Sequence, residues 1–515
     1  MNRDLTENNA CRLAKALIAC YGITYEEAMH KLASFRLNLV CDQSTSNSVA
    51  MQAALITAVN AGHRAFHGGV YVAVPDGIPS LLPWPGRPSL AQICSSLGAR
   101  LQPAPRGQMM QTIFLGYPCK PEADDLYLSA TGWRGGVSPA TSPATISSPI
   151  DFALGGVLAG ALGIAKGFLR LAGIDVRRHA GVAGASLWDP ASNWLNELSD
   201  GPDLQHLPQK LWILGLGHLG QAYLWVLGLL PFAEPQTAQF SLQDFDRAVF
   251  ANLGSGSLCS AESVGKFKTR ICADWLENRR FQTRIIERPF DVGTVPNDDE
   301  PFVALCGFDS AAARRLLQTP AFDLIIEAGI GSDLSSFDHV FLHTFPGAGK
   351  QPTEIWSAEP SGDIDPRLLN AFHPDERCGV VAQTLAGKAI STAFVGAIAA
   401  TFVMGEVLRG LHGGKRSEFL RFQSRRDLRP TVVQPLENYQ LRFARSGYVL
   451  AKQKGLAEFK RAPWSEAELA RRRKGDPKEA ENRLAFAQRN NDDPGMDSTT
   501  AANGNQDALG ASWRA

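Results

Sequence analysis

Residues 211–246 read LWILGLGHLGQAYLWVLGLLPFAEPQTAQFSLQDFD, and no other stretch narrows the possible folds as far. A short apolar run enters Gly215, Gly217 and Gly220, an apolar helical segment comes next, and a second strand-like run ends at Asp244. This order predicts strand, tight turn, helix and strand, with an acid at the tip of the second strand. Glycines suit such a turn because the backbone must bend sharply, come close to an anion, and let the helix pack on the strand without a Cβ between them. The helix start then offers unpaired N–H groups to a phosphate. The same spacing also occurs in turns that bind nothing, so the residues beyond Asp244 decide its meaning.

Around this centre the chain divides unevenly. Its 515 residues suggest about three domains of roughly 150 residues each. Lys plus Arg (51) balance Asp plus Glu (51), which gives no charge-based reason to expect a nucleic acid or membrane partner. Residues 415–515 are the exception, with 20 Lys/Arg against 13 Asp/Glu; beyond about 455 they carry an RRRK run at Arg471–Lys474 and a polar ending that read as a mobile tail. Nine cysteines form no CxxC pair, which argues against a zinc cage and a disulfide framework. The first residues mix acids with bases and lack a long apolar core, so no signal peptide and a cytoplasmic location are expected.

Residues 1–35 and Met51–Gly62 read as helices, and GGVYVAV as a strand turning at Pro75-Asp76-Gly77. A helix over Ser89–Gly98, a strand at Gln111–Leu115, a loop over Ser138–Pro149 and a helix over Phe152–Leu171 come after it. Downstream, strands at Gln282–Arg288, Val303–Phe308 and Asp323–Ala328 alternate with helical patterns, which predicts an α/β fold with a mostly parallel sheet. Two apolar runs, around Phe152–Phe168 and Ala393–Val403, fall short of about 18 clean residues and are bounded by Lys166 or Glu406, as buried helices would be. FALGGVLAGALGIAKGFLRLAG (152–173) and AFVGAIAATFVMGEVLRGLHGG (393–414) share small residues along one face and a leucine, arginine and glycine ending. Either one element occurs twice, or two close-packed helices have arrived at similar compositions. In the first case the first ~190 residues are a degenerate counterpart of the second half, without its glycine turn.

After Asp244 the chain continues FDRAVFANLGSGSLCSAESVGKFKTRICADWLEN. An acid at a strand end, an asparagine loop, a G-x-x-K helix start and the later Asp309 occur here in the order found in adenylating enzymes. Residues 205–414 thereby resemble the ThiF/MoeB family, which includes the ubiquitin-activating enzymes. The resemblance implies a Rossmann-like ATP-binding domain using ATP and Mg2+. Asp244 would accept hydrogen bonds from ribose hydroxyls, Asn252 would face the phosphates, and Lys268 would neutralise charge as pyrophosphate leaves. Asp309 would hold magnesium or cap the helix after it. Asp246 reads as a turn residue, and a solvated helix face is the alternative for Lys268. Where the family carries an arginine three residues after the asparagine, this chain has Ser255; either Arg247, Lys266 or Arg270 substitutes, or adenylation is slow or lost.

Cys378, in HPDERCGVVAQ, falls where family members that form a thioester carry their cysteine, with Arg377 and a helix start to lower its pKa and His373 as a possible base. Cys259 and Cys306 are weaker candidates. The phrases LWILGLGHLGQAYLWVLGLLPF, LQDFD, HTFPG at 343–347 and LRGLHGG resemble activating enzymes of bacterial ubiquitin-like conjugation (Bil) operons of phage defence. That implies an inactive adenylation-like domain at 1–190, an active one at 191–414 and an extension at 415–515. It also implies a ubiquitin-like protein and a conjugating enzyme as partners, with a homodimer as a further option. Adenylation of a small carboxylate, peptide or RNA, a nicotinamide-dependent oxidoreductase, and a weakly active scaffold remain the alternatives.

Overall fold

The computed structural model describes residues 11–75, 77–105, 107, 109–174, 181–319, 321–331, 336–347, 349–357, 390–424, 430–433 and 440–452. Cys378, Arg377 and His373 lie outside these residues, as does the basic run of the tail.

The N-terminal half begins with helices α1 (Arg12–Tyr21) and α2 (Tyr25–Ser34), then β1 (Arg36–Cys41), α3 (Val49–Ala65), β2 (Gly69–Ala73), α4 (Leu90–Ser96), β3 (Met110–Leu115), β4 (Leu126–Ala130), β5 (Arg134–Pro139), α5 (Ala153–Leu171) and β6 (Ala183–Ser186). Helix starts obey local chemistry: Thr24 and Glu27 form a capping box on α2, and Ser89 and Gln92 another on α4. The C-terminal half runs β7 (His206–Pro208), β8 (Lys210–Leu214), α6 (His218–Leu227), β9 (Gln239–Gln243), α7 (Lys268–Glu277), β10 (Gln282–Ile286), β11 (Val303–Cys306), α8 (Ala311–Arg315), β12 (Leu324–Ile330), β13 (His339–Phe345), α9 (Pro352–Ile355), α10 (Ala393–Leu411), β14 (Phe419–Gln423), β15 (Thr431–Val433) and β16 (Tyr448–Leu450).

The two main sheets share one topology. The first has the order β2-β1-β3-β4-β5-β6 and the second β10-β9-β8-β11-β12-β13-β14-β15. In each, a central parallel block is closed by antiparallel strands: β2, β1, β3 and β4 are parallel while β5 and β6 run antiparallel, and β9, β8, β11 and β12 are parallel while β13 and β14 run antiparallel. α3 comes after β1 as α6 comes after β8, and α5 sits between β5 and β6 as α10 sits between β13 and β14. The shared helix composition therefore marks one element used twice, in a chain made of two α/β halves.

The halves differ at the turn that leads into α3 and α6. In the first, DQSTSNS replaces the glycine turn, and the N-terminus of α3 is filled from within: Asp151 accepts from the N–H groups of Val49 and Ala50, each at 2.8 Å. A carboxylate there satisfies donors that a phosphate would otherwise take.

α3, α5, α6 and α10 pack on one another between the two sheets, α5 against β3, β4 and β5 and α10 against β12 and β13. α5 and α10 are each 19 residues long and apolar enough to span a membrane, but both are buried inside the protein. Their charges explain why: Lys166 donates to the carbonyl of Gly181 at 2.5 Å, and Glu406 pairs with Arg409 within α10. Small residues let the helices touch, since a Cβ on Gly156 or Gly160 would strike the carbonyls of Ala50 or Ala54 in α3.

Candidate active site

Each glycine of the turn after β8 has its own reason. Gly215 takes φ +80°, in the left-handed region, and donates to the Gln243 carbonyl at 2.9 Å. A Cβ on Gly220 would collide with the Gly215 carbonyl, so the third glycine lets α6 close onto the turn. Gly217 is the N-cap of α6, and a Cβ there would meet nothing within 4 Å: its face is open to a ligand at the helix N-terminus. Beside it, His218 Nε2 lies 2.7 Å from the Thr392 carbonyl, tying α6 to α10, and burial holds this imidazole down to about 4.

Asp244 braces the turn. Its Oδ2 accepts from the Leu216 N–H at 2.6 Å and its Oδ1 from the Asp246 N–H at 2.8 Å. Burial raises the pKa of this carboxyl, opposed by the charge of Lys268. Lys268 opens α7 and is 9 % exposed, not on a solvated helix face. Its Nζ contacts Asp246 Oδ2 at 2.6 Å. Burial lowers the lysine's pKa, but Asp244, Asp246 and Asp309 together outweigh that and leave it raised. The structure thus gathers Asp244, Lys268 and Asp309 at the carboxyl ends of β9 and β11, and adds Asp246, which has the local sequence of a turn residue.

Asp309 does not cap α8. Ser310 is the N-cap, its side chain accepting from the Ala313 N–H at 3.3 Å, which leaves Asp309 exposed. Among the described residues no three His, Cys, Asp or Glu side chains are grouped to hold a metal. A single exposed carboxylate suits Mg2+ as nucleotides carry it, held by one or two protein oxygens and the phosphates. Asn252 sits in a short 3-10 turn, Phe250–Gly254, where its Oδ1 accepts from the Val249 N–H at 2.9 Å.

Around Ser255, two of the three cations nearest in sequence already hold protein partners. Ser255 is buried, Arg247 donates to the Gly265 carbonyl and lies over the Phe267 ring at 3.8 Å, Arg270 faces Glu287 at 3.5 Å, and Lys266 is exposed. The guanidinium that meets this loop comes from the other half: Arg64 of α3 donates to the carbonyls of Leu253, Ser257 and Cys259 at 2.7, 3.0 and 3.1 Å. A separation of 189 residues and more hid it from any local motif. A cavity of about 590 Å³ opens between the halves here, lined by Arg12, Asn60, Arg64, Trp225 and Ser255 among others; it borders the asparagine loop and not the glycine turn.

A second polar group lies on β12 and β13. The fully buried Glu327 has Oε2 at 3.0 Å from His343 Nδ1 and Oε1 at 3.2 Å from Arg314 Nε, and Arg314 also donates to the Phe308 carbonyl, next to Asp309. The described cysteines are all free thiols. Burial pushes the thiols of Cys259, Cys272 and Cys306 up, which makes them poor nucleophiles, while Cys119 is exposed.

Comparison with known proteins agrees with the two-half organisation of the chain. Residues 36–186 match the BilD N-terminal domain and residues 207–414 the BilD C-terminal domain. The bacterial E1-like protein BilD of Collimonas sp. (strain OK412) is 35% identical over 429 residues, covering 82% of this chain and 92% of that protein. Among solved structures, E. coli MccB is 18% identical with a TM-score of 0.29, over 44% of this chain and 62% of its own. PaaA is 14% identical with a TM-score of 0.29, over 44% of this chain and 64% of its own. The chain spans less than two thirds of either structure, and likeness at that level adds nothing to the fold described above. With two thirds of its length matched by the two domain families and a relative of this identity along most of it, the chain belongs to the BilD family of bacterial E1-like proteins.

Proposed function

We propose that the chain uses ATP to activate the C-terminal carboxylate of a ubiquitin-like protein and then carries it as a thioester on Cys378 for delivery to a conjugating enzyme. The observation that carries this reading is the buried Lys268, held among Asp244, Asp246 and Asp309 at the mouth of a glycine turn whose Gly217 face is open. A free carboxylate is a poor acyl donor. Its oxygen attacks the α-phosphorus of ATP, the bond to the β-phosphate oxygen breaks, and pyrophosphate leaves. Charge builds on the departing phosphates, where Lys268 and the N-terminus of α6 can neutralise it. Mg2+ held by Asp309 and the phosphates would add to that neutralisation. The Cys378 thiolate then attacks the acyl carbon, the thioester bond forms, and AMP leaves with the electron pair of the acyl-oxygen bond. We further infer a cytoplasmic role in antiphage defence, which rests on family membership and on the conjugation chemistry.

A nicotinamide oxidoreductase would use the glycine turn and Asp244 but gives no task to a lysine buried among carboxylates. The test is ATP–pyrophosphate exchange with a candidate ubiquitin-like protein, comparing wild type with Lys268→Ala, and then a search for a thiol-sensitive adduct in wild type and Cys378→Ala. Exchange should fall by at least about 100-fold in Lys268→Ala, the usual cost of losing one charge-stabilising group. The adduct should vanish in Cys378→Ala. Wild type no faster than Lys268→Ala would favour a scaffold that binds its partner without chemistry, a reading motivated by Ser255.

A further inference from the structure

The N-terminal half carries no glycine turn of its own, yet one face of its helix α3 is built onto the other half, with Thr57 against α6 and Asn60 and Arg64 against the 253–259 loop. Thr57, Asn60 and Arg64 recur at helical spacing. Thr57 Oγ1 accepts from Trp225 Nε1 at 3.0 Å, Asn60 Nδ2 donates to the Ser257 carbonyl at 3.1 Å, and Arg64 binds the three carbonyls of Leu253, Ser257 and Cys259. Those carbonyls belong to the 253–259 segment that comes directly after Asn252 and contains Ser255. The segment is clasped from its other side by Gln221 of α6, a buried residue whose Oε1 accepts from the Leu258 N–H at 3.1 Å while its Nε2 donates to the Leu216 carbonyl at 3.1 Å. Leu216 lies between Gly215 and Gly217. A continuous path of hydrogen bonds therefore runs from Arg64 through the loop and Gln221 to the glycine turn.

We propose that Arg64 is a positioning residue for the nucleotide site, supplied by the half that no longer carries one, and that it sets ATP affinity by fixing the 252–259 loop against the glycine turn. The inference rests on the ATP reading above. An arginine fits the task because a planar fork reaches several acceptors at once, whereas an ammonium satisfies them one at a time. Without it, the Leu253 and Cys259 carbonyls lose this donor, the Ser257 carbonyl keeps only Asn60, and the loop must shift to find water. Burial lowers the guanidinium pKa to about 10, with the charge of Cys259 opposing, so the clasp stays cationic at neutral pH.

The experiment is calorimetric titration of the full chain with Mg-ATP, alongside thermal unfolding, for wild type, Arg64→Ala, Arg64→Lys, Thr57→Val and Lys268→Ala. Thr57→Val removes a contact between the same two halves that does not touch the loop. Arg64→Ala should raise the Kd for Mg-ATP about tenfold or more, Arg64→Lys should fall between it and wild type, and Thr57→Val should stay within about twofold of wild type. Arg64→Ala binding as wild type does, or Thr57→Val weakening ATP as much as Arg64→Ala at a similar loss of Tm, would overturn the inference while leaving the ATP reading intact. Wild type failing to bind Mg-ATP, as Lys268→Ala is expected to, would overturn both.

Discussion

His218 shows how a single residue beside the glycine turn ties the site to the stability of the protein. It is the first residue of α6, its ring faces the Thr392 carbonyl, and Arg12 is the charged neighbour that adds to the effect of burial. The imidazole titrates at 6.5 when unfolded and at about 4 when folded, so protons bind the unfolded chain more readily. Its contribution is therefore complete above pH 6.5 and is lost as the pH falls toward 4. By pH 5 that loss is about 2 kcal/mol. Urea unfolding at pH 7 and pH 5 should show wild type losing more stability than His218→Gln, which does not titrate; equal losses would mean that the ring is solvated in the folded protein. The acids around Lys268 make a different point about legibility. Asp244, Lys268 and Asp309 came in through the family resemblance, which ties each to a strand end or a helix start, and the fold brings the three together. Asp246 did not, since an acid two residues past another in DFDR has the pattern of a turn, and only the fold brings Lys268 back against it at 2.6 Å.

At the scale of elements, the duplicated helices carry the clearest consequence of the sequence. Both end in a leucine and an arginine, but Arg170 binds the Met110 carbonyl and Gln111 of its own sheet while Arg409 binds the Leu187 carbonyl and Ser417. Repetition was visible in composition; the different partners were not. Strand β5 was missed for a related reason. RGGVSP received no assignment before the loop expected from Ser138, yet Gly135 and Gly136 are strand residues whose missing Cβ atoms make room for the Gly155 carbonyl of α5 and for Trp194. β1 likewise fell in the unassigned stretch between the helical readings of 1–35 and Met51–Gly62, because RLNLVC alternates buried and half-buried positions over only six residues. Close approach also defines what α5 cannot tolerate. Gly160→Val places a branched Cβ where the Ala54 carbonyl of α3 stands, and neither backbone can yield without separating the layer. We expect destabilisation of about 3 kcal/mol, read from the urea midpoint, whereas Ala161→Gly, one residue along the same helix, should cost about 1 kcal/mol. Similar midpoints for the two variants would show that α3 and α5 are held apart in solution.

For the whole molecule, what governs behaviour is that the two halves share one interior. A single apolar cluster extends from Leu13 through α3, α5, α6 and α10 to Ala451, and the indole of Trp84 from the first half lies 6.1 Å from Trp225 and 5.6 Å from Trp275 of the second. Phe168 of α5 meets Phe394 of α10 at 5.7 Å in the same layer. The α/β class and the glycine turn could be read locally, but these contacts join positions more than a hundred residues apart, and local pattern carries no record of them. A chain ending before β7 would expose the faces of α3 and α5 that α6 and α10 now cover; a chain beginning there would expose α6 and α10. Because 19-residue helices as apolar as α5 and α10 cannot face water alone, residues 1–190 and 191–515 expressed separately should each be insoluble or aggregated. Expressed together, they should recover a soluble 1:1 complex that binds Mg-ATP, since no covalent link between the halves is needed to bury the layer. Size-exclusion chromatography distinguishes the outcomes: a monodisperse C-terminal half that binds Mg-ATP with full affinity by itself would show that the first half contributes neither solubility nor the clasp on the loop.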